Sequence, residues 1–412
     1  MASLLDYIEE NGVCSILDTD LYKFSVSYAY FKLYPLAEGT FVFKDRANQD
    51  VRQISTEFLS IVQERINSLG GLALADDELN WCVEHIPYIP QTYWEWLKGF
   101  RFDPSKIKVW LDENGVFNCK VTDKLYKVTL YEIPILATFS LVRNVLGYGE
   151  QVGLFNEMFQ QRIENQAKSK ANLSNEYGFP FSEFGTRRRF SLGVHKMVMN
   201  VLAKNAKNCV GTSNVWLAMR HNVKPCGTFP HEWVMFHGAV FGYKRANYLS
   251  LEDWIKVYDG NLGSALIDTY TTDSFLRTLT RKQALLLQGF RQDSGDEDDV
   301  AWKIINRLKK FGIDPKTKTI VFSNALDFPY AVDLYEEFSN EVNVSFGIGT
   351  NLTCDMAVRD FKPANVVMKL MRCRMSEKDP WEECVKLSDD LGKTMGDKEQ
   401  VEIAKKQLHL NE

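Results

Sequence analysis

Only six of the 412 residues are histidine, and His231 stands in Gly227-Thr-Phe-Pro-His-Glu-Trp233, at the head of an amphipathic helical pattern. A neutral imidazole there is a competent nucleophile toward phosphorus or a general base, with Glu232 or a neighbouring carboxylate expected to set its tautomer. On spacing alone the plainer alternative is a capping histidine without chemistry, and His237 on the same pattern reads as packing or surface. Glu183-Phe-Gly-Thr-Arg-Arg-Arg189 sets three consecutive arginines behind a short apolar run. Arginine is the preferred bidentate partner of phosphate and carboxylate, but adjacent residues point different ways, so Arg187, the first, is the one expected to reach a ligand. Acids gather in Arg291-Gln-Asp-Ser-Gly-Asp296. Asp293 and Asp296 around the Ser-Gly turn suit a ribose diol or the waters of Mg²⁺, which prefers oxygen ligands. The following Glu297, Asp298 and Asp299 suit the first turn of a helix through its dipole. Asp268, after Ser264-Ala-Leu-Ile267, is a second candidate for metal or ribose.

Phosphate binding is suggested by the steps Gly185-Thr186, Gly211-Thr212, Gly227-Thr228 and Gly347-Ile-Gly-Thr350. Glycine lets backbone N–H groups approach an anion, and a hydroxyl with a helix N-terminus favours it further. One such step is more often ordinary turn chemistry; several on one face of a fold shift the balance toward a binding surface. Neither GxxxxGK[ST] nor a GxGxxG opening a βαβ unit occurs, so neither a P-loop nor a dinucleotide site is indicated.

These residues need elements to hold them. Up to about residue 140 the chain reads as an α+β block: a strand at Gly39-Thr-Phe-Val-Phe-Lys44, helices at Ile54 to Ile66 and Asp76 to His85, and a hairpin. In that hairpin Ile107 to Leu111 and Val116 to Val121 flank Asp112-Glu-Asn-Gly115, whose Asn-Gly step supplies positive φ. A helix follows near Pro134 to Val145, then a longer one in which Val152, Phe155, Phe159 and Ile163 recur at helical spacing. From about residue 180, short apolar runs alternate with helical segments, the pattern of a parallel sheet closing toward a barrel. The expected architecture is α/β: an irregular, incomplete (β/α) barrel spanning 140–370, packed on an α+β domain of residues 1–139 plus 371–412. Val366 to Leu370 counts as a barrel run in that division, and Val401 to Leu410 as a solvated helical cap. At one barrel mouth Arg187, Ser213, Thr228, His231, Asp268, Arg291, Asp293, Ser323 and Thr350 would converge.

Composition bounds the rest. Apolar and aromatic residues make up 45%, enough for a large core, and 49 Lys+Arg against 54 Asp+Glu leave a net charge of −5. No global electrostatic reason points to nucleic acid or an anionic membrane. Val128 to Val142, the most apolar stretch, is interrupted by Glu132 and Pro134 and falls short of the roughly 20 residues of a membrane span. The start has acids and no basic region before an apolar block, and the eight cysteines show no zinc-ligand spacing. A reduced protein of the cytoplasm, with the nucleus as a second compartment, is the expectation.

Together the motifs resemble a known family. Leu17-Asp-Thr-Asp-Leu-Tyr-Lys23, Tyr131-Glu-Ile-Pro134, Glu183-Phe-Gly-Thr-Arg-Arg-Arg189, Gly211-Thr-Ser-Asn214 and Gly227-Thr-Phe-Pro-His-Glu-Trp233 come first. Asp268-Thr-Tyr-Thr-Thr-Asp273, Arg291-Gln-Asp-Ser-Gly-Asp296, Phe346-Gly-Ile-Gly-Thr-Asn351 and Ser388 to Asp397 follow in order. The string is similar to nicotinate phosphoribosyltransferase in its bacterial and fungal form, from about residue 15 to Asp397. The resemblance implies that nicotinate, phosphoribosyl pyrophosphate, ATP and water give nicotinate mononucleotide, pyrophosphate, ADP and phosphate, with Mg²⁺ as cofactor and a monomer or homodimer as the assembly. His231 matches the residue that the family phosphorylates. Tyr22 would stack on the pyridine and Arg291 would pair with its carboxylate, with Thr228 and Arg187 completing that pocket or meeting the phosphoribosyl group. Ser323, Gly349 and Thr350 would hold the ribose 5-phosphate, and Asp268 and Asp293 the ribose hydroxyls and magnesium. Pro230, Asn324 and Cys354 depart from the family pattern. Nicotinamide or quinolinate as the pyridine, and a Mg²⁺-dependent barrel lyase acting on a sugar phosphate, are the competing expectations.

Overall fold

Asp112 starts the turn that its sequence announces: its carboxylate accepts from the N–H groups of Asn114 and Val116, and Gly115 adopts φ 74°. That turn pairs β2 (Ile107–Leu111) antiparallel with β3 (Phe117–Lys124). β3 pairs in turn with β1 (Glu38–Asp45), and β1 with β11 (Val366–Arg374), whose other edge carries β12 (Glu382–Glu383). In this computed structural model residues 3–46, 55–358 and 361–410 are described; Ile54 of the expected first helix lies outside them, and the rest of that helix spans Thr56–Ser68.

The second sheet is wholly parallel. It contains β4 (Phe181–Glu183), β5 (Cys209–Thr212), β6 (Lys224–Pro225), β7 (Ser264–Leu266), β8 (Gly289–Gln292), β9 (Thr319–Phe322) and β10 (Asn343–Ile348). Its spatial order is β6-β5-β4-β10-β9-β8-β7, so the curled sheet is a half-barrel open between β6 and β7. The chain builds outward from β4 to β6, crosses to β7, and returns inward to β10, which pairs with β4 at Gly347↔Ser182 and Ile348↔Glu183. Strand order therefore reverses between β4 and β10, the place where open parallel sheets bind ligands.

Four expectations about organisation change. The apolar run Val366 to Leu370 is not a barrel strand: it pairs antiparallel with β1 along Asp45↔Val366 to Phe41↔Leu370. The division at 139/140 falls inside the Glu132–Tyr148 helix, which is buried over most of its length. Leu125 to Tyr148 is one 24-residue helical stretch of hydropathy 1.3, long and apolar enough for a membrane span, but 89% of its best window is buried inside the protein. It packs on the first sheet, where Phe139 meets Phe43 and Phe117, and holds the loop after β4, where Asn144 donates to Arg189 O and Phe190 O. The tail does not simply return to the first block. Leu387 N–H bonds to Thr269 O, Tyr243 to Gln400, and Arg277 to Leu408 O, so the Lys398–Gln407 helix and the segment before it lie on the barrel side. The expected helix from Val152 begins only at Met158; Val152 packs in the preceding turns.

Candidate active site

Each parallel strand ends at one rim, and the loop after it carries the chemistry. β4 leads to Arg187, β5 to Ser213, β6 to Thr228, β7 to Asp268, β8 to Asp293, β9 to Ser323 and β10 to Gly349 and Thr350. Two adjoining cavities lie there. The first, about 830 Å³ of empty space, is lined by Tyr22, Phe184, Arg187, Thr228, His231, Arg291, Asp293 and Lys369 among others. The second, about 580 Å³, is lined by Arg188, Ser323, Gly347, Gly349 and Thr350, and shares Phe184, Arg187, Arg291 and Asp293 with the first. The expected pyridine residues thus meet in one cavity and the expected phosphate residues in its neighbour. Glycine is required at the second: a Cβ on Gly347 would come within 2.5 Å of the Phe184 ring.

Asp268 lines neither cavity. It is wholly buried, accepts from Ser294 Oγ at 2.5 Å, and its Oδ1 has no hydrogen-bond partner among the described residues. Asp268, Asp293 and His231 nevertheless offer ligand atoms within 4.8 Å of one another. Asp296 takes no part, because it caps the Glu297–Lys310 helix by accepting from Asp299 N–H.

His231 heads the helix His231–Phe241, with Pro230 as the N-cap at φ −91° and ψ 162°. Proline therefore starts this helix without distortion, as its missing N–H costs nothing before the first turn. His231 Nδ1 lies 2.9 Å from Thr269 Oγ1, and Nε2 lies 3.3 Å from Asp293 Oδ2 and 2.9 Å from Lys386 Nζ. Burial, then the Lys386 charge, push the imidazole down to about 4 against the pull of Asp268 and Asp293. It is neutral at pH 7. Glu232 does not set its tautomer: that carboxylate belongs to a buried cluster with Lys23 and Thr129, and Lys23 Nζ also meets Glu132 at 2.5 Å. His237 packs, bonding to Trp233 O and Asp253.

Arg291 spends three of its five donors within the protein. Its Nε donates to Ser323 Oγ (2.8 Å), NH1 to Thr228 Oγ1 (3.2 Å) and NH2 to Asp293 Oδ1 (2.7 Å). Burial opposes the Asp293 charge, but the Arg291 guanidinium beside it holds its carboxyl well below the usual range. The arginine triplet splits by position. Arg189 is buried in a bidentate pair with Asp18, Arg188 donates to Val366 O, and Arg187 lines both cavities with no side-chain hydrogen bond or ion pair among the described residues.

Several participants were invisible in the sequence. Lys369 projects from β11 into the first cavity, where burial first, then Lys386, Arg187 and Arg46, lower it to about 7 against the pull of Glu132. Lys393 bonds to Asp293 O and to Asn324 Oδ1, so the asparagine that departs from the family pattern serves as an acceptor. Cys354 sits behind the site against Asn144. The Ser388 to Asp397 motif contains Lys393 and begins two residues after Lys386, so it was the available signal for the first alone, and a lysine in a motif does not announce which loop it will touch.

The chain matches the model of the nicotinate phosphoribosyltransferase family over residues 179–412, and that of the family's N-terminal domain over residues 17–140. It is 37% identical over 399 residues to nicotinate phosphoribosyltransferase of Chromohalobacter salexigens, covering 96% of this chain and 98% of that one. The crystal structure of nicotinate phosphoribosyltransferase from Porphyromonas gingivalis superposes with a TM-score of 0.90 at 43% identity, over 96% of this chain and 99% of that one. The Vibrio cholerae enzyme gives a TM-score of 0.87 at 29% identity, over 97% and 94%.

Proposed function

The chain belongs to the nicotinate phosphoribosyltransferase family, and from that premise we propose that its two rim cavities join nicotinate to phosphoribosyl pyrophosphate with the energy of ATP stored on His231. The product, nicotinate mononucleotide, feeds pyridine nucleotide biosynthesis. Tyr22 and Phe184, both on the first cavity, offer aromatic faces to the pyridine. Arg187 brings the unpaired guanidinium for an anionic group, whereas Arg291 presents an edge already oriented by Thr228, Ser323 and Asp293. Gly349, Thr350 and the rim around Ser323 receive the 5-phosphate through backbone N–H groups.

In the transfer step the pyridine nitrogen forms a bond to the anomeric carbon as the bond to pyrophosphate breaks, with oxocarbenium character between. Nicotinate supplies its own nucleophile, so no protein base is needed. Positioning and neutralisation of departing charge carry the acceleration. Asp268, with an unpartnered buried oxygen, and Asp293 are oxygen donors fit to hold Mg²⁺. When bound, that ion supplies neutralisation of pyrophosphate.

The neutral imidazole of His231 carries the ATP reading. With Nδ1–H donating to Thr269, Nε2 keeps its lone pair, accepts from Lys386, and faces two carboxylates. Nε2 bonds to the terminal phosphorus as the bond to ADP breaks, and water later releases phosphate. Incubation with ATP labelled on its terminal phosphate tests this step: acid-labile, base-stable label is expected in the wild type and none in His231→Ala. Label retained in that variant refutes the phosphohistidine. Competition among the three pyridines tests the substrate, and tighter binding of nicotinamide or quinolinate than of nicotinate overturns it.

A further inference from the structure

Arg187 sits at the apex of a turn whose two ends are both tied to buried side chains, and those ties close into a ring. At the first end, Glu183 is wholly buried; its Oε1 accepts from Gly185 N–H, and its Oε2 accepts from Thr212 Oγ1 (2.5 Å) and His195 Nε2 (2.8 Å). Thr212 Oγ1 accepts from Asn214 N–H (3.0 Å), and Asn214 Nδ2 donates to Asp18 Oδ1 (2.8 Å). Asp18 then accepts both guanidinium nitrogens of Arg189, which ends the turn, at 2.6 and 2.7 Å. Gly185 is pressed against the next strand's loop, accepting at its carbonyl from Thr353 Oγ1 (2.9 Å); a Cβ there would stand 2.1 Å from that oxygen. Of these residues only Gly185 lines a cavity, the second, and it brings no side chain to it; Glu183, Thr212, Asn214, Asp18, Arg189 and His195 line neither. His195 is also wholly buried, and among the described residues its side chain bonds only to Glu183, its Nδ1 having no partner. An imidazole held for a single contact, beside a carboxylate that satisfies three donors, is costly to bury unless it fixes something.

We propose that Glu183 is a positioning residue for Arg187, setting its place between the two cavities through the ring Glu183–Thr212–Asn214–Asp18–Arg189. The inference rests on the reading that Arg187 meets an anionic group of the substrates. A carboxylate is needed because an amide has one acceptor oxygen for three donors, so Glu183→Gln must leave at least one buried donor unpaired. The turn then loosens and Arg187 loses its fixed aim, without any change in the side chains lining the cavities.

A double-mutant cycle tests it: the Kd of phosphoribosyl pyrophosphate by calorimetry for the wild type, Glu183→Gln, Arg187→Ala and the double variant. Glu183→Gln is expected to weaken binding about tenfold, and to add less than about twofold once Arg187 is alanine, as coupled sites are non-additive. Labelling of His231 by ATP should stay at the wild-type rate in Glu183→Gln. Losses that multiply in the double variant, or a folded Glu183→Gln that binds as the wild type does, overturn the proposal. Should Glu183→Gln not fold, Thr212→Val opens the same ring with a smaller change and enters the same cycle. A wild type that binds phosphoribosyl pyrophosphate but turns over no nicotinate would refute the assigned reaction and leave this cycle to be judged on its own.

Discussion

Removing the Lys386 ammonium should raise the pKa of His231, so that its imidazole begins to take up a proton just below neutral pH. The nitrogen of Lys386 lies 2.9 Å from His231 Nε2, while Asp293 Oδ2 lies at 3.3 Å and Asp268 Oδ1 at 3.9 Å. At an effective dielectric of about 20, a unit charge at such distances is worth about 4 kcal/mol. The depression from 6.5 to about 4 corresponds to roughly 3 kcal/mol. In Lys386→Met burial still lowers the pKa, but the two carboxylates act unopposed by the ammonium, and the His231 pKa should rise from about 4 toward about 6.5. Because the folded-state pKa of the wild type lies below its unfolded value, its imidazole stays neutral down to about pH 4; the variant should protonate on falling from about pH 7. The assay is the pH titration of the imidazole resonances of ¹⁵N-histidine-labelled protein, with His231 assigned by its loss in His231→Gln. A Lys386→Met protein whose His231 still titrates near 4 refutes the reasoning and leaves burial alone as the cause.

Lys23→Met leaves the Glu132 and Glu232 carboxylates facing each other in the core without their cation. Breaking such a buried pair costs about 3–5 kcal/mol, measurable by chemical denaturation, and Glu232→Gln in the same background should recover part of it; a neutral Lys23→Met contradicts the cluster's assigned role. Lys369, pushed down to about 7, carries its charge below that pH and loses it above. Affinity for phosphoribosyl pyrophosphate should therefore fall by up to about tenfold per pH unit above 7, and Lys369→Arg should flatten that dependence; calorimetry from pH 6 to 9 showing one slope for both proteins would separate Lys369 from binding.

Local chemistry was legible wherever one residue type admits few uses. Asn114-Gly115 turned the hairpin, Arg187 faced the rim as the first of its triplet, and Ser323, Gly349 and Thr350 gathered at one cavity because strands of a parallel sheet end together. Val366 to Leu370 shows the limit: five mostly apolar residues fit either sheet, and pairing with β1 was decided by contacts more than 300 residues away in sequence. Arg291 shows another. Its type marks it as an anion binder, yet three of its five donors are already spent on internal acceptors.

The sequence by itself determined the alternation of strands and helices, the family, and the short list of groups able to act on phosphate and carboxylate. Those depend on backbone propensity and side-chain chemistry, which neighbouring residues carry. Only the tertiary structure decided which of 49 lysines and arginines are paired, which are buried, and which stand unpaired at the rim. Charge state and reach depend on burial and on distances of 3–4 Å between residues far apart in the chain. His231 is a neutral imidazole because Lys386 was brought against it from 155 positions downstream, and no local pattern records that meeting.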